Sequence, residues 1–115
     1  MVVAFVRPSE RHATSLVEQI DALVREDRKR GGDLEGCVVF LGGPEQMTRL
    51  EELAKSRGIR IPLAYMRPDQ ASPRLVLNPL VATTISFVDH HRVVQNLSGY
   101  QREAVAAATR SMLAA

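Results

Sequence analysis

Gly36-Cys37-Val38-Val39-Phe40-Leu41-Gly42-Gly43-Pro44-Glu45-Gln46 joins an unbroken apolar run to a turn and then to a helix start. A continuous run bounded by glycines predicts a central strand covered on both faces, because a half-exposed strand would alternate apolar with polar residues. Pro44 suits the first helical position, where its missing N–H costs nothing, and Glu45 adds early negative charge that a helix N-terminus favours. The helix it opens is expected to turn Met47, Leu50, Leu53 and Ala54 inward and to close at Gly58. A buried strand feeding a helix in this way predicts an α/β domain.

Working outward, Val2 to Val6 is a short β-rich run ended by Arg7-Pro8. Ser9 is placed to cap a helix in which Leu16, Ile20, Leu23 and Val24 form one apolar stripe through about Asp27, before Gly31-Gly32 stops it. A third strand is expected at Pro62-Leu63-Ala64-Tyr65-Met66. The opening therefore reads βαβαβ, and crossovers through helices favour parallel neighbours. Residues 67 to 80 carry Pro68, Pro73 and Pro79, which predicts a loop. Thr83 to Val88 and Arg92 to Leu97 restore the strand pattern around Asp89-His90-His91, a separation so short that the two must pair antiparallel. After Gly99, Ala104, Val105, Ala108 and Met112 give a modest apolar face to a last helix over roughly residues 100 to 113. The sheet is thus expected to be mixed, with a ββα unit at its C-terminal end.

A chain of 115 residues allows one domain, and its 45% apolar and 24% charged composition is that of an ordinary globular protein. With two Tyr, three Phe and no Trp, the core must consist mainly of aliphatic side chains. Fifteen basic residues against 13 acidic ones are too balanced to imply a nucleic-acid partner. Arg25, Arg28, Lys29 and Arg30 are interrupted by Glu26 and Asp27, so they read as the solvated end of a helix. The first apolar run has no basic lead, and no run reaches the roughly 18 to 20 residues that span a bilayer, so no membrane insertion is expected. A cytoplasmic protein is the default expectation.

The whole order of elements resembles the thioredoxin-like superfamily, most tellingly through Ala82-Thr83-Thr84-Ile85-Ser86-Phe87-Val88-Asp89-His90-His91-Arg92-Val93-Val94. That stretch is similar to the family's segment in which a cis-proline precedes a strand, a turn and the returning edge strand, with Thr83 standing where the family usually has the proline. The resemblance implies a three-layer fold around a central mixed sheet, with residues 1–115 as a single domain or as an excerpt of a longer protein. It also places the family's dithiol loop at Arg7-Pro8-Ser9-Glu10-Arg11-His12, so that Pro8, Ser9, Glu10, Arg11 and Thr83 match the active-site region. Thiol chemistry needs a thiolate at the helix N-terminus and a resolving thiol nearby, and this loop has no sulfur.

Cys37 is the sole cysteine and opens a buried strand, where a small apolar role is expected. His90 and His91 are adjacent in a turn and diverge, with no further ligand at metal-site spacing, so no metal or other cofactor is expected. Ser9, Glu10 and His12 lack the separately positioned base and oxyanion pocket of a hydrolytic triad. Gly42 and Gly43, before a helix, make the best generic anion site, without the lysine and hydroxyl of a phosphate loop. Asn96-Leu97-Ser98 satisfies the glycosylation rule but has no export signal beside it. Arg92, Val93, Val94, Gln95, Asn96 and Leu97 form the outer strand of the hairpin, an edge able to recruit a protein partner or a second copy by main-chain pairing. The expected function is a redox-inactive thioredoxin-like module for protein interaction or structural support. The alternative is a thiol-dependent oxidoreductase or redox partner whose catalytic cysteine lies outside this chain.

Overall fold

The computed structural model describes residues 1–67 and 81–114; the greater part of the expected Pro-rich loop lies outside them. The elements follow in the order β1 (Val2–Val6), α1 (Ala13–Lys29), β2 (Gly36–Leu41), α2 (Gln46–Arg57), β3 (Leu63–Met66), β4 (Thr83–Asp89), β5 (Arg92–Ser98) and α3 (Arg102–Ala114). The strands form one five-stranded sheet ordered β3-β2-β1-β4-β5. β1 pairs parallel with β2 and β2 with β3, while β4 runs antiparallel to both β1 and β5. The domain is therefore α/β on a mixed sheet, with a βαβαβ opening and a ββα end.

Period-two alternation assigns the two faces of this sheet. Val2, Ala4 and Val6 of β1, Val38 and Phe40 of β2, and Ile85 and Phe87 of β4 share one buried cluster. Leu16, Val17, Ile20 and Val24 from α1, Leu50 and Leu53 from α2, and Val105, Ala108 and Met112 from α3 complete it. Full burial of each larger aliphatic or aromatic side chain stabilises the fold by roughly 1.5–3 kcal/mol. The other face holds a smaller cluster of Phe5, Val39 and Leu41, with Val3, Cys37 and Met66 packed against it.

All three described helices thus bury their apolar stripes against the same face, whereas the expected three-layer arrangement puts helices on both. The cause is the direction of the crossovers. β1 to β2 and β2 to β3 both step the same way along the sheet, and right-handed connections stepping one way place their helices on one side. α3 joins them there, since Gln19 Nε2 donates to the Arg102 carbonyl at 2.8 Å and the Tyr100 hydroxyl donates to Gln19 Oε1 at 2.8 Å. The close approach of α1 to β2 depends on Gly36, where an added Cβ would lie 2.7 Å from the Ile20 methyl.

Local differences from expectation have identifiable causes. α1 starts at Ala13 and not after Ser9, and its N-cap position is His12, which forms no side-chain cap. The residues before it close into turns, with the Glu10 amide donating to the Arg7 carbonyl at 3.0 Å and the His12 amide donating to Glu10 Oε1 at 3.0 Å. Pro44 likewise lies in a turn ahead of α2, because the Met47 amide donates to its carbonyl at 3.0 Å. Met47 faces out, 43% exposed, while Leu50 and Leu53 alone are buried on that helix.

Candidate functional site

The Arg7 to His12 loop, expected from the resemblance to be an active-site region, follows the C-terminal end of β1. Open α/β sheets usually bind ligands outside the carboxyl ends of their strands, so the position is a natural place for a site. Here β1 lies beside β4, and their register sets Val6 against Thr83. Thr83 is almost wholly buried and its hydroxyl donates to Glu10 Oε2 at 2.5 Å. The other oxygen of the same carboxylate accepts the His12 amide. The structure therefore brings Glu10 and Thr83 together across 73 residues of sequence, while Pro8, Ser9 and Arg11 remain exposed. Glu10 uses both oxygens to hold the loop, an arrangement that fixes its shape.

Gly42 and Gly43 lie at the same end of the sheet. The Gly42 amide donates to the Met66 carbonyl at 2.8 Å, and the Gly43 amide donates to Glu45 Oε1 at 2.8 Å. Both amides expected to attract an anion thus have acceptors within the chain, one of them a carboxylate. These contacts hold the exposed Glu45 carboxyl below its usual range, through its own backbone N–H first, then that of Gly43, with Arg67 adding to the effect.

Cys37 is half-buried on the face of the sheet opposite the helices. Burial pushes its thiol pKa up, the reverse of what activates a nucleophilic sulfur. Its register partner is Val3, and Val6 ends β1, which separates Cys37 from the Arg7 loop by about 10 Å along the strands.

β5 closes the sheet on one side with Arg92, Val93, Val94, Gln95 and Asn96 exposed. Val93 and Val94 are 51% and 55% exposed. The pairing of β4 with β5 shifts register between Phe87 and Val88, where Gln95 and Val93 are the successive partners and Val94 is the extra residue. This bulge explains why two consecutive valines face outward where strict alternation would bury one. Asn96 accepts a hydrogen bond from the Ser86 hydroxyl at 2.6 Å. His90 and His91 form the hairpin turn with φ of 50° and 66°, the left-handed pair that a two-residue turn requires. Among the described residues no three His, Cys, Asp or Glu side chains converge on a point that could hold a metal ion, and no helix is long and apolar enough to cross a membrane.

Sequence reading missed the opposite end of the sheet. There a cavity of about 370 Å³ opens between the second half of α1, the start of β2 and the turn before β3. Asp21, Arg25, Arg28 and Arg60 stand around it, and periodicity alone marks these residues only as a polar helix face and a loop. No protein-family model matches the chain, and no curated protein matches it, so its function rests on the residues themselves.

Proposed function

We propose that this chain is a redox-inactive, thioredoxin-like interaction module that pairs through the outer edge of β5. The supporting observation is that edge itself, a seven-residue strand at the end of the sheet with two adjacent exposed valines. The Gly99 amide donates to the Thr83 carbonyl at 2.8 Å, so odd-numbered positions near this end of β5 bond inward to β4. The backbone groups of Asn96 and Ser98 then point outward, and among the described residues no strand pairs with them, which leaves them to an added strand. The thioredoxin-like reading draws support from the β4–β5 hairpin beside β1 and from α3 returning over the same face as α1; the shared face of all three helices departs from it.

A second copy of the chain is the partner proposed. Antiparallel pairing about a twofold axis would bring valine against apolar valine or leucine and repeat the strand's own register. Sedimentation velocity over a micromolar concentration series tests this with the native chain and with Val93→Lys/Val94→Lys, which places charges on the edge that would pair. The expected result is concentration-dependent association of the native chain that the lysines abolish while the melting curve stays cooperative. A native chain that sediments as a monomer throughout removes self-pairing through β5.

A further inference from the structure

The 370 Å³ cavity falls within the range of about 300–1,000 Å³ typical of small-molecule sites. Its inner wall is apolar: Val24 and Ile61 are buried, and Gly36 and Pro62 complete the surface. The charged groups divide into two sets. Asp21 is neutralised within the chain, since its Oδ1 accepts the amides of Arg60 and Ile61 at 2.9 and 3.2 Å and its Oδ2 pairs with Arg25 at 2.5 Å. That carboxylate pins the turn before β3 against α1 and so holds the cavity open. Arg28 and Arg60 are exposed at the mouth, and among the described residues neither guanidinium has an ion-pair partner. Glu35 is the one acidic side chain of the rim without such a role in the turn, leaving an excess of positive charge.

An apolar wall beneath two guanidiniums that have no ion-pair partner among the described residues selects the ligand by elimination. A cation is repelled at the mouth, an inorganic anion leaves the wall wet, and a neutral apolar molecule gains nothing from the arginines. We propose that this cavity binds a small organic anion, with its hydrocarbon part against Val24, Ile61 and Pro62 and its acid group between Arg28 and Arg60. The site is independent of β5, and its success or failure does not bear on edge pairing.

Octanoate is the probe, with octanol and inorganic phosphate as controls, in amide NMR titrations of the full chain. Octanoate is expected to give saturable shifts centred on Val24, Gly36, Cys37 and Ile61 and to bind more tightly than either control. Arg28→Gln/Arg60→Gln changes two exposed side chains and should keep the fold, as its melting curve will show. It is expected to weaken octanoate about five-fold and to remove its advantage over octanol. Absence of saturable shifts at these residues, equal binding of octanol, or an affinity unchanged in the double variant would each overturn the proposal.

Discussion

Asp21 shows how one side chain sets local geometry. Its carboxyl group is buried, yet it accepts two backbone amides and an arginine, so its charge has partners for both oxygens. Removing it leaves the part-buried Arg60 amide and the buried Ile61 amide without this acceptor. Asp21→Ala is expected to cost about 2–4 kcal/mol in urea unfolding, and Asp21→Asn, which keeps an acceptor oxygen, distinctly less. Equal losses in both variants would mean that the charge and not the amide contacts matters. Cys37 gives a prediction in pH. Burial raises its thiol above the ordinary value of 9.0, so the folded chain holds that proton more tightly than the unfolded chain. The resulting stability is complete below pH 9.0 and is lost as pH climbs from there through the folded value. Comparing urea midpoints of the native chain and Cys37→Ala on either side of that pH isolates the effect, because Tyr100, also raised by burial, is common to both. The native chain should lose more stability at high pH than the variant.

At the level of elements, α2 ends where Gly58 adopts φ 62°, and its amide closes the last turn on the Ala54 carbonyl. A Cβ at Gly58 would meet nothing within 4 Å, so Gly58→Ala measures backbone strain without a clash. The expected loss is about 1 kcal/mol by thermal or urea unfolding, with the sheet unchanged by circular dichroism. This terminus was legible in the sequence because a glycine after a helical stripe carries its own physical reason. The strands were legible for the same kind of reason: their runs are short, apolar and punctuated. The start of α1 was not. Ser9 has the chemistry of a cap, but Glu10 is drawn to Thr83, a partner supplied by β4 that no local window contains. Met47 fails as an inward residue because α2 buries only a narrow stripe, and the sequence spacing fits more than one rotation of so short a helix.

Across the whole molecule, the direction of chain travel decides which face the helices cover. Two successive crossovers stepping from β1 through β2 to β3 explain the common side of α1 and α2, whereas a resemblance in element order alone implied helices on both sides. The same topology separates the features that thiol chemistry would need to combine. The Arg7 to His12 loop lies beyond the C-terminal end of β1, and Cys37 lies at the opposite end of the neighbouring strand. Reducing a disulfide requires a thiolate to attack sulfur, form a mixed disulfide and release it to a second thiol. Here the single thiol is half-buried, has a raised pKa and has no resolving partner. The chain by itself is therefore expected to show no disulfide reductase turnover above background. An insulin-reduction assay should compare the native chain with Cys37→Ser, each with and without glutathione, since glutathione would supply the missing resolving thiol to a monothiol mechanism. Equal background rates in all four reactions are the expected result. Turnover by the native chain that Cys37→Ser abolishes, with the variant still folded, would show that the sulfur reaches substrate despite its position on β2 and would end the redox-inactive reading.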